Sequence, residues 1–510
     1  MGGGGALWSR LPSRGRTVLN GREFEHGLAL EQFYEIAIAV RPGAVDEALS
    51  RFPASARIRS PIAIGLRAMK AVTGGDLPGG LALLKRAVAH CSGRPREYLL
   101  ELLIPLLLTT NALAEAEEAL ALVEDTVPEL IPAFAASRAL LAALQGDDST
   151  STLWATEAIM TGRAVDQPLI VGRVLQRTAV AAFYREDFAE AQDRALEGAR
   201  CYERLEAHRN AAHCYSVLTV IAQDWVGDPD VARYHARRMT MSAHLGGDVS
   251  LENWGLLAQL DIATESGDTR RVASLRGRLA SNPLNEQYYR ERFTYTITEV
   301  LSHGWEGRFE LARVGLMSLR NKDDLSLAER ALCDALLGIV ALSNGNVDLA
   351  RRLARRTLSQ TLERGKEPLF DSRRRRIARI LGAAICIILR DTVRGRRALT
   401  RSIDPEQRFA PLIGPEGMDE ERTPSLMRGY AKFLNRACAA ANAARPTHGL
   451  TQAELEVLRA LPAGMTLATL ADSLGKSRKT VERQVGNIYA KLHVANRAQA
   501  IQRARELDIP

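Results

Sequence analysis

One short recurring pattern limits what this chain can fold into. A turn-forming residue is followed five positions later by a small one, and the pair keeps returning. The clearest copies are Asn111 with Ala116, Glu186 with Ala191, Gly227 with Ala232, Gly307 with Ala312, and Gly345 with Ala350. Gly267 with Val272 is looser; Gly75 with Gly80 and Gly146 with Ser151 are looser still. Successive starts lie 36, 35, 40, 41, 40, 40 and 38 residues apart. A period of this size marks stacked helix pairs. Glycine can end a helix in the left-handed conformation. An Asp or Asn just after it caps the next helix. The small residue then lets that helix close on its predecessor. One such pair cannot bury its apolar face alone, so neighbours must stack.

Composition agrees. Ala, Leu and Arg dominate and aromatic residues make up only 5%, which favours helices over strands. A length of 510 residues leaves room for a long array plus a small domain. Residues 1–25 are Gly- and Arg-rich without periodicity and read as a disordered tail; residues 26–403 read as the helical array. The stretch 404–449 reads as a linker with one helix, from about Ser425 to Ala444, and a hinge at 445–449. Residues 450–510 form a separate C-terminal domain. The repeats resemble the tetratricopeptide pattern in EDFAEAQDRAL (Glu186 to Leu196) and GNVDLARRLARRTL (Gly345 to Leu358). They lack most of its aromatic positions and exceed its usual spacing of about 34; an irregular all-α domain is the alternative.

The longest apolar runs, Tyr98 to Leu108 and Ile380 to Leu389, are too short to cross a bilayer. The opening MGGGGALWSR holds no apolar core of signal-peptide length, and Ala6 stands where a myristoylation motif wants Ser or Thr. Six scattered cysteines without a Cys-x-x-Cys pair read as buried, reduced thiols. A soluble cytoplasmic protein with no membrane contact is expected. Net charge is +8, but only +3 of it falls between Gly449 and Pro510. That permits a polyanionic partner without demanding one. The basic run Ser372 to Arg376 reads as a solvated face or a partner contact rather than a DNA contact.

The C-terminal stretch reads as four helices: Thr451 to about Leu461, about Thr466 to Leu474, Ser477 to about Leu492, and about Asn496 to Leu507. Thr451 with Glu454 makes a capping box, and Ser477 caps the third helix. On that third helix Val481, Val485, Ile488 and Leu492 form one apolar stripe. At 100° per residue, the opposite face carries Lys479, Arg483, Gly486, Asn487 and Ala490, with Glu482 on its flank. A short helix, a tight turn at Gly475 and a capped helix make a helix-turn-helix, whose basic second helix can enter a major groove.

Leu450 to Ala504 is similar throughout to the LuxR/GerE-type helix-turn-helix. The matching positions include Leu450, Thr451, Glu454, Leu458, Gly464, Thr466, Leu470, Ala471, Leu474, Ser477, Thr480, Val481, Val485, Ile488, Lys491, Leu492, Val494, Asn496 and Arg497. The resemblance implies an all-α, four-helix DNA reader without a wing, its helix-turn-helix at about 467–486. It implies that Glu454, Leu458 and Gly464 are structural landmarks. Ser477, Lys479, Thr480 and Lys491 match positions that touch phosphates; Glu482, Arg483 and Gly486 match positions that read bases, with Asn487 beside them. The last helix matches the family's dimerising element. Pro462 and Ala463 depart from the family pattern, as do Glu482, where Lys is common, and Gln484, where His is common. Glu482 either accepts from cytosine N4 or pairs with Arg478 one turn back. Arg483 either pairs with guanine O6 and N7 or holds a phosphate.

Gly475-Lys476-Ser477 invites a phosphate-loop reading, but the loop needs a second glycine at position 470, which is Leu470. No ATPase signature, no receiver pattern and no His/Cys metal cluster is visible, so neither a cofactor nor a catalytic role is expected. The chain reads as a bacterial-type, sequence-specific transcriptional regulator acting on double-stranded DNA as a homodimer. Its array would sense a protein or small-molecule effector. The alternative is a helical-repeat scaffold with a weak or vestigial DNA-binding domain.

Overall fold

The recurring turns are where the chain reverses. In the computed structural model all eight turn residues have positive φ: Gly75 (94°), Asn111 (60°), Gly146 (94°), Glu186 (64°), Gly227 (69°), Gly267 (71°), Gly307 (77°) and Gly345 (69°). At most of them the next residue donates its N–H to the carbonyl five back, as in Asp76 to Ala71 (2.8 Å), Asp187 to Ala182 (3.0 Å) and Asn346 to Ala341 (2.9 Å). This satisfies an orphan carbonyl of the ending helix. The same Asp or Asn then accepts from the next helix: Asp76 from Gly79 N (2.9 Å), Asp187 from Glu190 N (3.1 Å), Asn346 from Leu349 N (3.1 Å). Five residues past each turn the small side chain is sealed; Ala116, Ser151, Ala191, Ala232, Ala312 and Ala350 are wholly buried. Two further copies, Glu206 (φ 54°) with wholly buried Ala211 and Arg390 (φ 65°) with Gly395, lie outside the spacing of the eight. A left-handed non-glycine residue costs about 1–2 kcal/mol, which the closure of the helix pair offsets.

The structure describes residues 30–39, 43–124, 127–165, 167–280, 289–322, 325–361, 371–400, 413–414, 417–419, 423, 425–444, 450–461, 464–507 and 509. The expected tail at 1–25, the hinge at 445–449, and Pro462 and Ala463 lie outside them. Among the described residues there are 26 α-helices and a single pair of two-residue strands. The chain divides into two units.

The first unit comprises 1–299, 362–376 and 424–429. Its helices pack as successive antiparallel neighbours, for example Pro168–Tyr184 with Phe188–Arg204 and His208–Ile221 with Pro229–Leu245. Phe33, Leu66, Leu99, Leu103 and Phe134 sit wholly within its core. Charge is buried there too. Glu101 accepts from Arg173 (Nε, 3.0 Å) and from Arg177; Arg177 also donates to the Ala133 carbonyl (2.8 Å) and Ser137 (2.9 Å). Arg209 pairs with Asp248 at 2.8 Å. The basic run behaves differently from expectation. Arg373 binds Glu265 (2.9 Å) and the Gln223 carbonyl (2.8 Å), while Arg374 bonds Thr294 (3.0 Å) and lies over the Phe293 ring. At least these two arginines are internal clasps rather than a solvated face, because buried carboxylate, carbonyl and ring groups surround them.

The second unit comprises 300–361, 377–423 and 430–510. Leu327–Ser343 packs on Val347–Gln360, and buried Asp334 holds Arg320 (3.0 Å) and Arg356 (2.6 Å). Phe433, on helix Arg428–Ala444, stacks on Phe309. Part of the stretch expected to be a linker packs within this unit. Ile413–Gly414 pairs with Gly417–Met418, and the Asn435 amide makes both backbone bonds of Met418 at 2.8 Å. All six cysteines are buried. No helix among the described residues is long and apolar enough to cross a membrane.

Candidate nucleic-acid interface

Four caps set the limits of four short helices at the C-terminus. Thr451 precedes Gln452–Ala460, Thr466 precedes Leu467–Ser473, Ser477 precedes Arg478–Leu492, and Asn496 precedes Arg497–Glu506. Each cap side chain accepts from a first-turn N–H, between 2.9 and 3.4 Å. Substituting such a cap typically costs about 1 kcal/mol. The turn between the second and third helices needs Gly475, at φ 60°; Lys476 N then donates to the Ala471 carbonyl at 2.9 Å. Gly-Lys-Ser is therefore a helix end, a turn and a cap.

One apolar core joins all four helices. Val481, Ile488 and Leu492 of the third helix pack with Leu455, Val457, Leu458, Leu470 and Ala500. Burying that stripe forces the other face outward. Lys479, Glu482, Arg483, Gly486, Asn487 and Ala490 are all exposed. Over 15 residues the helix runs about 22 Å, ample to lie along a groove. A Cβ placed on Gly486 would meet nothing within 4 Å, so the face is open and flat there.

The expected contact residues separate into groups. Among the described residues Lys479 and Arg483 have no carboxylate partner. Glu482 accepts from Arg478 Nε at 2.8 Å, which realises the ion-pair alternative in the free protein. Ser477 and Thr480 share a 2.7 Å hydroxyl bond at the helix start, both side chains at the surface edge. Lys491 stays exposed while pairing with a buried group: its ammonium lies 2.6 Å from Glu454, a residue only 3% exposed. Glu454 also accepts from Thr451 N at 2.7 Å. Burial disfavours its charge, but hydrogen bonds from Lys491, Thr451 and Asn487 prevail and hold the carboxyl at about 2. Leu458 lies in the core and Gly464 adopts φ 72°, so both landmarks have structural work.

Residues 448–504 match the GerE family, described as bacterial regulatory proteins, luxR family. The C-terminal domain is a LuxR-family helix-turn-helix. The match covers 57 of the 510 residues and places DNA-binding transcription regulation in this domain. No curated protein matches the chain.

Two clamps of the LuxR-type domain were not assigned from the sequence. Arg497 donates to the Leu461 carbonyl (2.9 Å) and to the Met465 carbonyl (2.5 Å), closing the end of the first helix. A cation there also suits the helix dipole. Lys476 reaches Glu456 at 2.7 Å and ties the turn to the first helix. Both side chains are basic residues in a basic domain, and only their neighbours distinguish a clamp from a phosphate contact.

Proposed function

We propose that this chain is a sequence-specific transcriptional regulator. Its tetratricopeptide-like array senses an effector, and its LuxR-type domains act as a homodimer on duplex DNA through Arg497–Glu506. The observation that carries this reading is the outward face of Arg478–Leu492. Lys479 and Arg483 stand there with no carboxylate partner among the described residues, flanking an open surface at Gly486. Arg483 presents a fork suited to guanine O6 and N7, and Lys479 a point charge for phosphate. Ser477 and Thr480 add phosphate contacts at the helix start, and exposed Lys491, braced by Glu454, adds one at the helix end. Glu482 reads a cytosine only after leaving Arg478. The array contributes binding rather than catalysis, and the protein works in the cytoplasm of a bacterial cell.

The test is selection of bound duplexes from a random pool with the full-length protein, followed by a salt-titrated affinity measurement. The reading expects a two-fold symmetric preferred sequence and a steep fall in affinity with salt. Flat, sequence-independent binding favours a repeat scaffold instead. For coupling, a chain lacking residues 1–445 must lose its response to inducing conditions at a reporter promoter; an unchanged response removes the sensing role.

A further inference from the structure

Within the first unit, a cavity of about 520 Å³ opens between Pro229–Leu245 and Thr269–Ala280, with Val249–Glu265 as its floor. Arg237, Arg271 and Arg278 converge on it. The cavity's one carboxylate, Glu252, faces the His244 imidazole at 3.2 Å. Among the described residues Arg237 and Arg271 have no carboxylate partner. The nearest acids are otherwise engaged: Asp268 accepts from the Arg271 backbone N–H at 3.1 Å, and Asp230 is paired with Arg233. Partial burial and the charges of Arg237 and Arg233 push Arg271 below its ordinary value, against the pull of Asp268 and Asp230. The floor is polar and fixed, with buried Gln259 donating to buried Thr240 at 2.8 Å. One wall is apolar: Met241, which is 56% exposed, and Leu275.

We propose that this cavity binds a small organic anion. A carboxylate, sulfonate or phosphate-ester head lies between the Arg237, Arg271 and Arg278 guanidiniums, and an apolar body covers Met241 and Leu275. Crowding of Arg237 and Arg271, which have no carboxylate ion pair among the described residues, costs free energy that an anion removes, and forked guanidinium donors suit planar or tetrahedral oxyanions. The volume falls in the range of small-molecule sites, about 300–1,000 Å³. Three helices of adjoining repeats supply the walls, so an occupant ties those repeats together. This assignment rests on the reading that the array senses an effector, and gives that effector a chemical class.

The test uses the full-length protein and two matched fluorescent probes, 1-anilinonaphthalene-8-sulfonate and its uncharged relative N-phenyl-1-naphthylamine. The sulfonate is expected to bind saturably at one site per chain. The double substitution Arg237→Ala with Arg271→Ala should weaken it at least about tenfold, and the neutral probe less than about twofold. Ser274→Asp, which places a carboxylate at the rim, should also weaken the sulfonate selectively. Thermal melts that match wild type confirm that both variants fold. Unchanged sulfonate affinity in both variants, or equal losses for both probes, overturns the site. DNA affinity of the same samples separates the two readings. A sulfonate that fills the wild-type cavity yet leaves DNA affinity unchanged supports the cavity and counts against sensing.

Discussion

Arginine does opposite things in the two parts of this molecule. In the first unit Arg173, Arg177, Arg209 and Arg373 are turned inward onto Glu101, Asp248 and Glu265. In the C-terminal domain Arg483 and Lys479 are exposed, with no carboxylate partner among the described residues. In the proposed reading, basic charge marks a nucleic-acid face only where the protein leaves it without a carboxylate partner. Local concentration is a poor guide: Ser372 to Arg376 is the densest basic run considered, and its Arg373 and Arg374 are structural clasps.

The largest effect expected from this contrast is on stability of the array. Glu101→Gln leaves two buried guanidiniums without their carboxylate, and removing one partner of such a set costs about 3–5 kcal/mol. Urea unfolding followed by circular dichroism should show an earlier transition. A midpoint within error of wild type would mean that the cluster is not structural. Next comes Arg483→Ala. It should lose about 1–3 kcal/mol of discrimination between preferred and scrambled duplexes with little change in melting temperature. If both duplexes weaken equally, Arg483 is a phosphate contact.

A pH titration probes the clamp between buried Glu454 and exposed Lys491. Glu454 has its folded carboxyl held at about 2, below its ordinary 4.5. The folded state therefore favours the charged form. The stabilisation is complete above about pH 4.5 and disappears as pH falls toward 2. Solvent around Lys491 screens the pair, so about 1–2 kcal/mol is at stake. Glu454→Gln should flatten that part of the stability profile; an unaltered profile would place the acid sensitivity elsewhere. Lys479→Ala should weaken all duplexes alike, lowering the salt slope by about 1. The smallest expected change is in Glu482→Ala. Losing the exposed pair with Arg478 should move stability by only a few tenths of a kcal/mol. A larger loss of affinity confined to one base pair would show that Glu482 exchanges Arg478 for a base on DNA.

The sequence by itself determined the local features. Turn residues, caps and the apolar stripe of Val481, Val485, Ile488 and Leu492 act over five to fifteen residues, so their signals are contiguous. That is why eight left-handed turns and all four C-terminal helices were legible, while Glu206 and Arg390, off the repeat spacing, were not. Only the tertiary structure decided which charges are spent internally. Lys491 and Lys479 look alike in sequence and both are exposed, yet one lies 2.6 Å from a buried carboxylate and the other has no carboxylate partner among the described residues. Glu101 with Arg173 and Glu265 with Arg373 are 72 and 108 residues apart, beyond the reach of any periodic pattern. The convergence of Arg237, Arg271 and Arg278 on one cavity is of the same kind. Ionic pairing depends on distances between helices, and those are fixed by stacking rather than by local chain preference.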